Sequence, residues 1–124
     1  MNVPQHYSPV MPYFIVGDAD AFIKFITTVF DAKEILRVPS PDGSVMHAEY
    51  SINGGTVMFG QAGGEWKSFP CGVFVVTDRV DEIHERALAN GAVSIQEPGE
   101  RGYGRASGFQ DAFGNQWWLN TPGE

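Results

Sequence analysis

Two stretches of the chain share one pattern and decide the fold: FIVGDADAFIKFITTVFDAKEI at residues 14–35 and FVVTDRVDEIHERALANGAVSI at residues 74–95. They align without a gap at a constant offset of sixty residues. Each begins with a short β-branched and aromatic run, which predicts a strand, and continues with apolar residues at helical spacing. The sequence therefore contains an internal repeat.

The repeat extends beyond these two stretches. Asp18 and Asp78 follow the predicted strands and are good N-caps for the helices, and Gly91 suits the left-handed end of the second helix. Strand-like segments follow each helix at residues 34–38, 45–52 and 56–60, and again at residues 93–96, 105–110 and 116–120. The sequence predicts an α+β fold of two tandem βαβββ modules.

Length and composition fit one domain. The chain has 124 residues, of which 43% are hydrophobic, so a single core can form without disulfide or metal support. We expect one domain over residues 1–124, with one module at residues 9–60, a linker at residues 61–70 and a second module at residues 71–121.

Charge and cysteine content exclude several classes of function. Eight Lys and Arg against fifteen Asp and Glu leave a net charge of −7, which disfavours nucleic acid as a partner. Cys71 is the single cysteine, so neither an intrachain disulfide nor a zinc ribbon can form. No apolar run is long enough to cross a membrane. We expect a cytoplasmic protein without a membrane partner.

The duplicated plan, with FIVGDADAFIKFITTVFDAKEI in the first half and DAFGNQWWL ending the second, resembles the vicinal oxygen chelate superfamily. Glyoxalases, bleomycin-resistance proteins and extradiol dioxygenases belong to it. The segment PDGSVMHAEYSINGGTVMFG looks most like the glyoxalase-like subgroup associated with phosphonate operons. The resemblance covers roughly residues 9–121. It implies a curved mixed sheet with a concave groove, helices on the outer face, and a homodimer.

Metal-using members of that superfamily place their ligands on the first and last strands of each half. The resemblance puts these positions at or beside Met11, Met58, Cys71 and Trp118. None is the His or Glu that zinc, nickel and iron prefer. The neighbouring positions offer no better ligands: Pro12, Phe59, Gly72 and Trp117. We expect no metal and no other cofactor.

His47 and Glu49 are the candidate catalytic residues. Strand alternation puts both on one face, roughly 7 Å apart along the strand. If that face lines the groove, the two groups form a titratable pair suited to acid and base chemistry. The alternative is an edge or interface strand whose polar face meets water. The pattern leaves both open.

Aromatic and sulfur side chains predict a site for a flat hydrophobic or aromatic ligand. Trp117 and Trp118 must face opposite sides of their strand, and the repeat assigns Trp118 to the groove. The same reasoning gives a ligand-binding set of Tyr13, Met58, Phe109 and Trp118. Plain core packing is the alternative for large aromatic residues on strands.

The glycine-rich segment at residues 99–105 is interpreted as a mobile lid. It lacks the pattern of a dinucleotide-binding turn. Tyr103 would cover the groove, and Arg101 and Arg105 would hold a carboxylate or phosphonate group of the ligand. Alternatively, the arginines pair with surface carboxylates. His84 is interpreted as a helix-surface residue and His6 is given no role.

Three functions remain open. The first is a metal-independent protein of the bleomycin-resistance kind that binds or sequesters a small molecule. The second is a glyoxalase-like lyase or isomerase that uses His47 and Glu49. The third is a non-catalytic partner whose groove receives another protein.

Overall fold

The computed structural model describes residues 1–123, and within them the chain forms eight strands and two helices. In chain order these are β1 (Tyr13–Val16), α1 (Ala19–Phe30), β2 (Lys33–Pro39), β3 (Val45–Ile52), β4 (Gly55–Gln61), β5 (Gly72–Val76), α2 (Val80–Ala89), β6 (Val93–Arg101), β7 (Gly104–Gln110) and β8 (Gln116–Pro122). The predicted α+β fold with two βαβββ modules is confirmed.

Each module forms its own four-stranded mixed sheet. The strand orders are β1-β4-β3-β2 and β5-β8-β7-β6, so the second sheet repeats the topology of the first. In both sheets the first strand is parallel to the last strand, and the other neighbours are antiparallel. We call the face of each sheet that packs against the helices its core face and the opposite face its groove face.

The two helices begin differently. Asp18 caps α1 by accepting a hydrogen bond from the Ala21 amide at 3.0 Å, as predicted. The N-cap of α2 is Arg79, without a side-chain cap, so the prediction for Asp78 is wrong. Gly91 has the positive φ, 94°, that suits the end of a helix.

The constant offset of sixty residues does not hold at the level of strand register. Tyr13 lies opposite Met58 in the first sheet, whereas Phe74 lies opposite Trp118 in the second. Met58 and Trp118 are sixty residues apart, but Tyr13 and Phe74 are sixty-one apart. The one-residue difference also explains why α2 begins one residue later than expected.

In the third strands of the two modules, β3 and β7, the offset is one residue shorter than sixty, whereas in β1 and β5 it is one residue longer. Glu49 lies opposite Met58, whereas Gly108 lies opposite Trp118, so these equivalent positions are fifty-nine residues apart. A shift of one residue moves every side chain of a strand to the other face. Phe109 is therefore on the core face, although the repeat assigned it to the groove.

Aromatic stacking joins the two modules. Trp117, on the core face of β8, is fully buried, with its ring centroid 5.5 Å from that of Phe14 on β1 and 4.7 Å from that of Phe30 on α1. Phe109 packs 6.2 Å from Phe25 in the same core, so it cannot line a ligand groove. The groove faces of both sheets point away from this shared core.

His84 on α2 is buried, with 2% of its surface exposed, which corrects its interpretation as a surface residue. Its Nδ1 lies 2.9 Å from the Ser107 hydroxyl and its Nε2 lies 3.0 Å from that of Ser94. Burial lowers the pKa of His84, although the charges of Glu97 and Asp81 oppose that shift. The residue links α2 to the core face of the second sheet.

Among residues 1–123, neither helix has the length and apolar character needed to cross a membrane.

Candidate functional site

The groove face of the first sheet carries four of the side chains that the sequence singled out. Glu49 lies opposite Met58, and Met58 lies opposite Tyr13 on the other neighbouring strand. His47 is two residues from Glu49, so its side chain is on the same face. The sheet thus brings together Tyr13, His47, Glu49 and Met58.

Glu49 is the centre of a hydrogen-bond network and is only 1% exposed. His47 Nε2 lies 2.8 Å from its Oε2, and His6 Nε2 lies 2.6 Å from its Oε1. The Tyr7 hydroxyl donates to Oε2 at 2.7 Å, and the Tyr13 hydroxyl lies 3.1 Å from His47 Nδ1. His6 and Tyr7 belong to residues 1–12, which precede β1 and which we call the N-terminal strap.

This network keeps Glu49 ionised. Burial acts to raise the pKa of Glu49, but the hydrogen bonds from His47, His6 and Tyr7 outweigh it and lower the pKa to about 2. An ionised carboxylate only accepts hydrogen bonds, so His47 donates from Nε2 and its Nδ1 can accept from Tyr13. Burial and the charge of Glu49 raise the pKa of Tyr13, which keeps its hydroxyl protonated.

An open cleft of about 810 Å³ lies beside this network on the same sheet. Its apolar walls are formed by Tyr13, Ile15, Met46 and Trp66. Polar residues of the β2–β3 connection line another part of it: Ser40, Asp42 and Ser44. Gly60 also lines the cleft. The absence of a side chain lets the Met46 carbonyl oxygen approach closely, since a β-carbon at Gly60 would come within 2.6 Å of it.

The groove face of the second sheet forms a separate and smaller cleft of about 230 Å³. Phe74, Tyr103 and Trp118 line it, whereas Tyr13 does not. A β-carbon at Gly108 would come within 2.6 Å of the Trp118 ring, so glycine at this position lets the indole lie against the sheet. Within one chain, Trp118 and Tyr13 therefore do not share a cavity.

The segment interpreted as a mobile lid is a β-hairpin. Glu100 lies opposite Arg105 in the paired strands β6 and β7. Arg105 forms a bidentate ion pair with Asp81, at 2.7 and 2.8 Å, and Arg101 Nη2 donates to the Glu97 carbonyl oxygen at 2.9 Å. Both guanidinium groups thus form contacts within the protein, Arg105 with a surface carboxylate and Arg101 with a backbone carbonyl oxygen.

Three residues of this site escape the sequence patterns. His6 and Tyr7 reach Glu49 across more than forty residues, and the strap has no periodicity that indicates such a contact. Trp66 lies in the glycine-containing linker and is 65% exposed, yet it forms a cleft wall. A tryptophan in a linker was the one available signal for that role.

The model of the Glyoxalase/Bleomycin resistance protein/Dioxygenase superfamily matches residues 5–119 of the chain. The chain belongs to this superfamily. The vicinal oxygen chelate resemblance is thereby confirmed. An uncharacterized protein of Mycobacterium bovis is 34% identical to this chain, over 90% of this chain and 81% of its own length.

Two solved structures share the fold of this chain. TioX from Micromonospora sp. ML1 has a TM-score of 0.77 and 25% identity, covering 94% of this chain and 99% of TioX. The fosfomycin resistance protein FosX of Listeria monocytogenes has a TM-score of 0.70 and 21% identity, covering 94% of each chain. The latter similarity concerns the fold alone.

The metal site of metal-using superfamily members does not fit the residues present here. Met58 and Trp118 lie on the groove faces, but Met11 and Cys71 precede β1 and β5, whose groove positions are instead held by Tyr13 and Phe74. In the described part of the chain, no group of three His, Cys, Asp or Glu side chains is arranged to hold a metal.

The Glu49 network is no exception to this finding. His6 and His47 each contact a different oxygen of Glu49 at hydrogen-bond distance. Within the described residues, these three side chains do not form a group that could hold an ion, and their mutual contacts are hydrogen bonds.

We expect Glu49→Gln to remove an acid-sensitive part of the protein's stability. The native pKa of about 2 lies below the ordinary 4.5, so ionised Glu49 stabilises the fold fully above pH 4.5. This contribution is lost as the pH falls toward 2. Urea unfolding at pH 7, 4.5 and 3 should show a smaller acid-induced loss in Glu49→Gln than in wild type.

Glu65→Gln, an exposed change in the linker, is the matched control and should follow the wild-type curve. Parallel pH profiles for wild type and Glu49→Gln would contradict the assignment of an ionised, hydrogen-bonded Glu49.

Proposed function

We propose that the protein binds or sequesters a flat hydrophobic or aromatic small molecule, without a metal, in the cleft of the first sheet. The supporting observation is the open cleft of about 810 Å³ with Tyr13, Ile15, Met46 and Trp66 on its walls. This volume falls within the usual range of small-molecule sites, and aromatic walls favour stacking. Members of the superfamily bind small-molecule ligands, in agreement with this proposal.

The state of Glu49 favours binding over catalysis. A general base needs a free lone pair and a pKa near the working pH. Glu49 instead accepts hydrogen bonds from three side chains, and its pKa is about 2. It is therefore better suited to orient His47 than to remove a proton from a substrate.

Removing the exposed cleft wall tests the binding function. Trp66→Ala should weaken the affinity for the neutral fluorescent probe N-phenyl-1-naphthylamine about fivefold, because one aromatic contact contributes on the order of 1 kcal/mol. Fluorescence titration measures the dissociation constant. Phe69→Ala, an exposed linker residue outside the cleft, serves as the control. Wild-type affinity in Trp66→Ala would refute the cleft as the binding site.

A lyase or isomerase is the second candidate, and one observation favours it. The Tyr13 hydroxyl contacts His47, which contacts Glu49, so a chain of proton-carrying groups leads from the cleft wall to a buried carboxylate. A base oriented by a third group is the arrangement that activates many catalytic histidines.

The enzymatic alternative requires His47. Any turnover by the wild-type protein should disappear in His47→Ala, while the affinity for N-phenyl-1-naphthylamine stays within about twofold, because His47 supplies the proton transfer and not the apolar wall. Steady-state kinetics and the fluorescence titration measure the two effects. Turnover that persists in His47→Ala excludes this route.

A homodimer is the arrangement that we propose for the assembled protein. The groove face of the second sheet exposes large apolar side chains, including Phe74 at 61%, Val76 at 56% and Tyr103 at 57%. Such a patch is unusual on a monomer, and a second copy would remove it from water. A cytoplasmic location stays a prediction from the single cysteine.

A charge in the apolar patch should break the dimer. Wild type should sediment at twice the 13.6 kDa chain mass, and Phe74→Glu should shift it to the monomer because a buried unpaired carboxylate is costly. Phe69→Glu is the control and should remain dimeric. Sedimentation velocity reports the mass, and a monomeric wild type at micromolar concentration contradicts the proposal.

A further inference from the structure

The N-terminal strap lies against the groove face of the first sheet and is attached mainly by polar contacts. Residues 1–12 contain no helix or strand. Thr56 Oγ1 donates to the His6 carbonyl oxygen at 2.5 Å, and the Met58 amide donates to that of Pro12 at 3.0 Å. His6 and Tyr7 contact Glu49, while Met1, Val3 and Val10 are exposed. The strap therefore buries little apolar surface of its own.

Glu49 depends on the strap for its solvation. A carboxylate that is 1% exposed needs hydrogen-bond partners or an opposite charge, since burial removes it from water. Its own sheet supplies His47, and the strap supplies His6 and Tyr7. If the strap left, both carboxylate oxygens would become available to another donor from the groove.

The position under the strap is next to the binding cleft. Tyr13 lines the cleft, and its ring stacks on that of His47 with centroids 5.6 Å apart. His47 in turn contacts Glu49. A ligand that lifts the strap would thus extend from the cleft, past this stacked pair, to the carboxylate.

The two strap side chains that contact Glu49, His6 and Tyr7, indicate which hydrogen-bond donors this carboxylate can bind. Both are flat rings that present a donor at one edge: the imidazole of His6 reaches Oε1 and the phenol of Tyr7 reaches Oε2. The half-exposed rings dock by their polar tips. A ligand with two N–H donors and a positive charge would satisfy both oxygens and balance the buried charge.

We propose that the strap is a displaceable internal occupant of the groove, and that the ligand that replaces it is a flat aromatic cation whose N–H groups bind Glu49. This inference rests on the proposed function, because it names the ligand class of the same site. The strap competes with the ligand, so the apparent affinity is reduced by the fraction of molecules in which the strap is docked.

The test compares two probes of the same shape on the full-length chain. 4-Aminobenzamidine carries a cationic amidinium group, whereas 4-aminobenzamide is neutral. Calorimetric titration should give about tenfold tighter binding of the amidine to wild type, and a further gain of about tenfold in the double variant His6→Ala/Tyr7→Phe, which keeps Glu49 and frees it from the strap. Val3→Ala changes an exposed strap residue and should leave both affinities unchanged.

Two further measurements make the assignment specific. Glu49→Gln should bind the amidine and the amide equally. Hydrogen exchange followed by mass spectrometry should show faster exchange at the Met58 amide of wild type when the amidine is added, because that amide donates to the Pro12 carbonyl oxygen of the docked strap. If Glu49→Gln does not fold, the double variant decides, since its changes lie at half-exposed positions.

Unchanged or weaker amidine binding in the double variant overturns the proposal, as does a cation preference that survives in Glu49→Gln. The proposed function fails separately, through unchanged binding of N-phenyl-1-naphthylamine to Trp66→Ala. That neutral probe has no cationic group for Glu49, so its result does not depend on the strap.

Discussion

The packing of Trp117 between Phe14 and Phe30 is the contact on which the rest of the structure depends. Its ring joins the last strand of the second sheet to the first strand and helix of the first module. The buried indole N–H is satisfied by Asp111 at 2.8 Å. Since this stacking holds both core faces inward, Glu49 and Trp118 lie on the two separate groove faces, directed away from the shared core.

The order of the elements could be predicted from sequence because it depends on local periodicity. Strand and helix patterns repeat within each module, and turn residues such as Gly54 and Gly91 have the positive φ that their positions require. The orientation of individual strands could not be predicted in the same way. Phe109 was assigned to the wrong face because an offset that is correct for β8 is one residue off for β7. His84 was assigned to the helix surface, and its burial depends on Ser94 and Ser107, which are distant in sequence and satisfy its ring nitrogens.

The contacts of the candidate site are likewise of two kinds, those between residues close in sequence and those between residues far apart. His47 and Glu49 are two residues apart on a strand, so alternation alone brings them together. His6 and Tyr7 complete the network from a segment without periodicity. They contact Glu49 because a buried carboxylate needs hydrogen-bond donors, and residue spacing does not reveal which donors these are. Trp66 likewise acquires its role from the position of the linker beside β1, which no periodicity encodes.

The unequal offsets between the two modules carry an evolutionary consequence. Positions sixty-one, sixty and fifty-nine residues apart are equivalent in β1, β4 and β3, respectively. The connections thus absorb single-residue differences in length, and equivalent strand positions keep the same face of the sheet. Two copies of one module can therefore diverge on a common backbone frame: exchange of side chains alone makes one outer sheet surface polar, with Glu49, and leaves Gly108 and Trp118 in the apolar counterpart.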